Sequence, residues 1–272
     1  MFPRYQSRQI KPRFEWHPKM DPNHPLSVGC IGLWLLNETG GLSAYDLSGN
    51  NNHGTLTNGP TWTPGRSGQA LKFDGVDDYV NIVDSAQILA PDALTFAAWV
   101  KILSGWNATD RIASKKGSLT WDATSGWSLE TTSTAEMRFL GSGSQFGDGL
   151  SINWTVDEWF YLVTTKEAAA TQVKGYKNGS YVDDQTCDTI AQNTQPLTLA
   201  SFFTQGNNIP IVLDDVRLYN RALSMQEIQW LYQFPYDNLI VEPLRKFWFM
   251  PEVAAGGLSI PVAMANYRQR RI

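Results

Sequence analysis

The chain is poor in the residues that cross-link or charge a protein. Its 272 residues include two cysteines and three histidines, and only 18% are Asp, Glu, Lys or Arg. Two thiols cannot form a disulfide framework, so Cys30 and Cys187 are predicted to be small buried side chains, with a bond between them left open. The low charge and the 42% hydrophobic content argue against a disordered chain or a coiled coil.

Long apolar stretches are also missing. No run approaches the roughly 20 apolar residues that a membrane-spanning helix needs. The N-terminus begins Met-Phe-Pro-Arg and lacks the apolar core of an export signal. We therefore expect no membrane partner and no Sec-type export, which leaves the cytoplasm or another secretion route open.

The small net charge of −4 conceals an uneven distribution. Residues 1–20 carry five basic side chains against Glu15, a net of +4, and the last five residues carry three arginines. The rest of the chain is therefore at −11, so two basic termini flank an acidic body. The acidic net charge argues against general nucleic-acid binding. The basic termini favour an acidic partner, either the body of a neighbouring subunit or an acidic shell, with nucleic acid as the least favoured alternative.

Turn formers and aromatic residues are abundant, with 22 Gly, 14 Pro and 12% aromatics. The clearest alternation runs over residues 94–102, where every second residue is apolar. Asn178-Gly179 is a two-residue hairpin turn. These signals predict an all-β, two-sheet antiparallel sandwich. The predicted strands are 30–36, 70–73, 79–83, 94–102, 126–131, 136–140, 159–165, 172–177, 180–183, 197–202 and 211–219.

One short C-terminal helix is predicted after the last of these strands. Ser224 and Glu227 form a capping box, and apolar residues follow at helical spacing. Residues 1–26 hold five prolines and are predicted to be an extended basic arm. The domain is predicted to cover 27–235, and residues 236–272 to form an extended aromatic and basic tail.

Six phrases, in this order along the chain, resemble the LamG-like (laminin G, concanavalin A-like) jelly-roll domains. They lie at residues 32–38, 46–56, 68–80, 94–100, 176–179 and 214–224. The resemblance covers about residues 27–235 and implies a jelly roll. The flanks are similar to those of LamG-type proteins in phage structural gene sets. That similarity implies a homo-oligomeric protein on the virion surface, a capsid decoration or head/tail-associated protein held by capsid or other virion proteins.

Catalysis is not expected. Some relatives of this fold are glycoside hydrolases, which need two carboxylates flanking a sugar bond. Asp214 and Asp215 are adjacent and therefore point to opposite faces of a strand, and the pairs at 77–78 and 183–184 fail in the same way. We predict a non-catalytic interaction protein, with a free carbohydrate-binding module as the alternative and a glycoside hydrolase as the third hypothesis.

The resemblance also implies one structural Ca²⁺, for which the 46–54 loop would meet the late Asp-Asp strand. Carried over, Asp46 and Asp214 would supply carboxylates, and Asn50 and Asn52 mostly backbone oxygens. Calcium prefers six to eight such oxygen ligands. The alternative is an Asx-turn loop whose side chains only cap backbone groups.

Sugar binding would need exposed aromatic rings. The candidates for contact with cell-surface glycans are Trp106, Trp121 and Trp127, which lie in the Gly/Ser/Thr/Asp-rich stretch 104–127. The alternative is that they pack inside the protein, as tryptophans ordinarily do.

The termini are the predicted partner-binding segments, because extended arms become ordered by lying on a partner. Fraying in solvent is the alternative. The candidate contact residues are Arg4, Arg8, Lys11, Arg13, Phe247, Trp248, Phe249, Arg270 and Arg271.

Overall fold

The computed structural model describes residues 11–14, 18–88, 93–116, 126–142, 149–202 and 206–241. All of them belong to the first of two compact units, Met1–Glu242, and the second unit is Pro243–Ile272. Within the described residues, no helix is long and apolar enough to cross a membrane.

Two antiparallel sheets form a sandwich. One sheet has seven strands in the order β11 (Met137–Leu140), β10 (Gly126–Thr131), β9 (Arg111–Lys116), β15 (Leu197–Leu199), β7 (Tyr79–Ile82), β4 (Gly54–Thr57) and β3 (Ser43–Ala44). The other has eight, in the order β14 (Ser180–Thr186), β13 (Gln172–Lys177), β12 (Phe160–Lys166), β8 (Leu94–Ile102), β16 (Pro210–Tyr219), β6 (Gln69–Asp74) and β5 (Thr61–Pro64), with β2 (Cys30–Trp34) also paired to β16. The predicted all-β jelly-roll sandwich is confirmed.

Strand β8 is buried on both faces. Its alternating residues from Leu94 to Ile102 join the core between the two sheets. Ala97 and Trp99, on the opposite face, join a second apolar cluster with Ile228 and Leu231 of helix α1 (Met225–Gln233). The eight-stranded sheet therefore packs on apolar residues on both sides.

Helix α1 begins at the predicted capping box. The Glu227 amide donates to Ser224 Oγ at 3.3 Å, and the Ser224 amide donates to Glu227 Oε2 at 2.9 Å. Two orphan backbone donors are thereby satisfied, which fixes the first turn.

Three strands of four or more residues, β4, β5 and β9, were not predicted from the sequence, and neither were the two-residue strands such as β3. Strand β9 has the polar sequence RIASKK, yet all six of its residues are buried. It became a strand because β10 and β15 pair with it on either side. Its neighbours in space, rather than its own composition, decide its conformation.

The described parts of both predicted arms pack on the body. Lys19–Met20 forms strand β1, which pairs with β17 at Leu239–Ile240. Tyr236 and Asn238, which lie beyond the predicted domain end at 235, are almost completely buried. Cys30 and Cys187 are buried, as predicted, and they are not bonded to each other, which answers the question that the sequence left open.

A buried histidine caps the 3₁₀ turn at Pro25–Ser27. His24 Nδ1 accepts the Leu26 amide at 3.2 Å, and the ring lies 4.9 Å from Trp230, edge to face. Burial lowers the pKa of His24 below its ordinary value. The neutral ring is therefore the form that the folded chain favours.

We expect this histidine to weaken the fold in mild acid. A lowered folded-state pKa means that the unfolded chain takes up the proton first, so the contribution of His24 is lost as the pH falls below about 6.5. Urea unfolding at pH 7.5, 6.5 and 5.5 should show a steeper loss in the wild type than in His24→Asn, which keeps a capping acceptor but does not titrate. Parallel pH profiles for the two proteins would contradict this.

Candidate functional site

A cleft of about 320 Å³ opens between the outer face of the eight-stranded sheet and the end of helix α1. We call it the aromatic cleft, and it is lined by Arg66, Ser67, Trp99, Tyr232, Gln233, Pro235 and Tyr236. The rings of Trp99 and Tyr232 lie 5.6 Å apart at 35°. The Arg66 guanidinium carbon lies 4.9 Å from the Trp99 ring. The cleft thus combines aromatic surface with polar groups at its edge.

Local sequence explains how these side chains meet. Trp99 points outward because it is out of phase with the core-facing residues of β8. Tyr232 follows Leu231, which anchors helix α1 on the sheet. Gly179 of the β13–β14 turn has φ +79° and lies against Tyr232, where a Cβ would be 3.0 Å from the ring. The hairpin turn predicted from Asn178-Gly179 therefore supports the wall of the cleft.

A second cleft of about 400 Å³ lies on the other side of Ser67. We call it the arm cleft, because Lys11, Arg13 and Phe14 from the N-terminal segment form part of its lining. The Phe14 ring stacks on Tyr45 at 5.2 Å and 28°. The other lining residues are Asn37, Glu38, Thr39, Ser67, Gly68 and Gln69.

The arm cleft contains a carboxyl group with an altered pKa. Glu38 Oε1 accepts the Tyr45 amide at 2.8 Å. Burial raises the pKa of Glu38 above its ordinary value, against the opposing effect of that hydrogen bond. The carboxyl therefore holds its proton more tightly than an exposed glutamate does.

The structure describes two of the three predicted sugar-binding tryptophans, Trp106 and Trp127. Trp127 is completely buried, stacked on Phe139 at 5.7 Å and 5°, so its predicted role as an exposed sugar platform is wrong. Trp106 is half-buried against the main core and meets Trp154 edge to face at 5.1 Å. Trp121 lies outside the described residues. The period-two pattern of strand 126–131 puts Trp127 in phase with Leu129, a signal that already pointed to the core.

The predicted calcium ligands of the 46–54 loop cap one another and the backbone. Asp46 Oδ1 accepts the amides of Leu33 and Ser48 at 2.9 and 2.8 Å, and its Oδ2 accepts the Asn52 amide at 2.9 Å. The side-chain amides of Asn50 and Asn52 donate to main-chain carbonyls at 3.3 and 2.7 Å. This is the Asx-turn arrangement, the alternative to a metal site.

Asp214, the other predicted ligand, has a separate set of donors. Its carboxylate accepts from the ammonium of Lys11 and from the Ser67 amide. A calcium ion shared by Asp46 and Asp214 does not fit these contacts, because Asp46 already accepts four protein hydrogen bonds and the Lys11 ammonium already lies against Asp214. In the described part of the chain, the single group of three acidic side chains close enough to share an ion is Asp74, Asp77 and Asp78.

Lys11 was predicted to bind a partner, and this prediction is wrong, because its side chain is fully buried against Asp214. Arg13 is exposed and lines the arm cleft. The remaining predicted contact residues lie outside the described residues. They are Arg4, Arg8, Phe247, Trp248, Phe249, Arg270 and Arg271.

A buried cluster of charged residues, which was not predicted from the sequence, lies on the outer face of the seven-stranded sheet. Glu130 pairs with both Arg111 and Arg138, and the Arg138 Nε–Glu130 Oε1 distance is 2.8 Å. Asp110 lies beside Arg111, so the four charges cancel. Burial lowers the pKa of Arg111 to about 10. The cluster neutralises itself and belongs to the framework of the sheet.

The least exposed carboxylates of the described residues are all ion-paired. Glu130, Asp214 and Asp215 are 0–1% exposed and face Arg111, Lys11 and Arg217 respectively. Asp214 and Asp215 pair with different residues, as expected because adjacent side chains in a strand point to opposite faces. Their charges are neutralised within the fold.

A family model for the concanavalin A-like lectin/glucanases superfamily matches residues 74–229, more than half of the chain. No curated protein matches significantly. Among solved structures, the binding domain of Paraclostridial mosquitocidal protein 1 is similar with a TM-score of 0.62 and 16% identity over 76% of this chain and 52% of that chain. Trypanosoma rangeli sialidase in complex with sialic acid gives 0.58 and 17% over 76% and 33%. The botulinum neurotoxin serotype D binding domain gives 0.57 and 15% over 77% and 52%.

The chain thus spans between a third and about half of the length of these structures. At identities of 15–17%, the similarity concerns the fold.

Proposed function

Because this chain belongs to the concanavalin A-like lectin/glucanase superfamily, we propose that it is a non-catalytic carbohydrate-binding module whose sugar site is the aromatic cleft. The observation that carries this proposal is the cleft edge formed by the exposed Arg66 and the half-buried Tyr232, beside the buried ring of Trp99. Aromatic rings pack against the C–H faces of a sugar, while edge polar groups bind its hydroxyls. The cleft volume of about 320 Å³ falls within the range of about 300–1,000 Å³ for small-ligand sites.

Two further observations support binding without catalysis. Among the described residues, the three most buried carboxylates are held in ion pairs, whereas a glycosidase needs one free acid and one free base or nucleophile. Two of the similar solved structures are toxin binding domains, which agrees with a recognition role.

We expect Tyr232→Ala to weaken glycan binding by about tenfold or more, because truncation of a central aromatic contact commonly costs over 1 kcal/mol. The full chain would first be screened on a glycan array, and the affinity for the best glycan would then be measured by calorimetry. Arg66→Ala should weaken the same interaction.

Tyr181→Ala is the matched control, because Tyr181 is an exposed tyrosine on edge strand β14. Its affinity should equal that of the wild type. No binding on the array, or equal affinities for wild type and Tyr232→Ala, would refute the proposed site.

A second proposal concerns the setting in which the module works. The opposite charges of termini and body favour a homo-oligomeric assembly held through the termini, with a virion surface as its place. Reversing the charge of Arg268, Arg270 and Arg271 in the full chain should shift the sedimentation profile toward monomer. An unchanged sedimentation profile would mean that the C-terminal arginines do not hold the assembly together.

A further inference from the structure

Asp214 of strand β16 lies in a closed pocket beside Gly65 and Ser67, which we call the Asp214 cradle. Its side chain is fully buried, and its Oδ2 accepts the Ser67 amide at 3.2 Å. Gly65 lies directly over it, since a Cβ at Gly65 would be 2.5 Å from Oδ2. A carboxylate removed from water in this way needs a cation beside it.

Lys11 supplies that cation from 203 residues earlier in the chain. Its ammonium donates to Asp214 Oδ1 and, at 2.6 Å, to the Gln69 carbonyl. The side chains of both partners have no exposed surface. The lysine is therefore enclosed by the body rather than resting on it.

The backbone around Lys11 is fixed as well. The Lys11 amide donates to Ser67 Oγ at 3.3 Å, and Asn37 Nδ2 donates to the Pro12 carbonyl at 2.7 Å. Asn37 Oδ1 in turn accepts the Gln69 amide at 2.9 Å. Gly68 has φ +68°, and a Cβ there would be 2.8 Å from Asn37 Oδ1. Both glycines of the 65–68 turn thus leave room for the cradle and its occupant.

A calcium ion would require six to eight oxygen ligands at this place. The groups that accept hydrogen bonds from the Lys11 ammonium are one carboxylate and one carbonyl, and the ammonium bridges them. We propose that the Asp214 cradle is a binding site for a lysine side chain and that Lys11 of the same chain occupies it. The ammonium takes the place of the metal ion, and the fold is independent of calcium.

The same contact makes the N-terminal segment a structural part of the module. The main chain at Lys11 and Pro12 is hydrogen-bonded to Ser67 and Asn37. The next two residues, Arg13 and Phe14, are thereby positioned to form one wall of the arm cleft. Burial raises the pKa of Asp214 to about 6 even with Lys11 beside it, which agrees with a cradle closed to water.

The test compares Lys11→Met, which keeps the length of the side chain but removes the charge, with Lys72→Met in the full chain. Lys72 is an exposed lysine on β6 and serves as the control. Melting temperatures are measured in EDTA and in millimolar CaCl₂, and the rate of tryptic cleavage after Arg13 is followed. Lys11→Met should melt about 5–15 °C lower and be cleaved at least ten times faster.

Wild type and Lys72→Met should melt at the same temperature in EDTA and in calcium. If Lys11→Met is too unstable to purify, Lys11→Met/Asp214→Asn, which removes both charges, should recover a folded protein. The proposal is overturned if Lys11→Met behaves like Lys72→Met, if the double variant is as unstable as Lys11→Met, or if calcium raises the wild-type melting temperature by several degrees.

Discussion

Replacing Arg217 with methionine is expected to lower the free energy of unfolding by about 3–5 kcal/mol. Arg217 is fully buried, and its Nε and Nη2 donate to the two oxygens of Asp215 at 2.9 and 3.2 Å. It also donates to Asn238 Oδ1 at 3.2 Å and to the Pro235 carbonyl. The variant would leave the buried Asp215 carboxylate without its cation and the chain after helix α1 without its anchor.

Urea unfolding of the full chain measures this effect. Arg221→Met is the matched control, because the Arg221–Glu227 pair is partly exposed and worth about 1 kcal/mol or less. Equal losses of unfolding free energy in Arg217→Met and Arg221→Met would mean that the buried contacts of Arg217 stabilise the fold no more than a partly exposed ion pair does.

The second large effect is expected at Trp127. Trp127→Ala should cost about 3–5 kcal/mol, because it opens a cavity between Phe139 and Phe96 in the main core. Trp127→Phe should cost less, since a phenyl ring keeps the stacking and removes a buried indole N–H that has no partner among the described residues.

The same two variants separate packing from ligand contact. Glycan affinity, measured on the folded fraction, should be unchanged in Trp127→Phe. A variant at Trp127 that kept wild-type stability but lost glycan binding would contradict the assignment of this residue to the core.

The elements that sequence analysis predicted well are those encoded within a few neighbouring residues. The alternation at 94–102 corresponds to β8 with the same bounds, and the capping box begins helix α1. The Asn178-Gly179 turn joins β13 to β14. Strand period, helix capping and turn chemistry act over two to five residues, so the chain itself specifies them.

The parts of the site that sequence analysis missed depend on distant partners. Tyr232 was predicted only as part of the apolar stripe of helix α1. Arg66 lies between two glycines of a turn, and no sequence pattern identified it as a site residue. Their meeting at Trp99 requires helix α1 to lie on the sheet and the β5–β6 turn to reach the same edge. Loop tryptophans were the more obvious candidates by composition, but composition does not determine burial.

By itself, the sequence determined an all-β sandwich, its one capped helix, the burial of its two cysteines and the basic termini flanking an acidic body. Only the tertiary structure decided which of the charged residues are internal. Lys11 looks like one of several arm cations, yet it is buried because a carboxylate 203 residues away needs a counter-ion in a site without water. Desolvation penalises an unpaired charge far more than any local preference favours one conformation, so the pairing is a property of the folded chain.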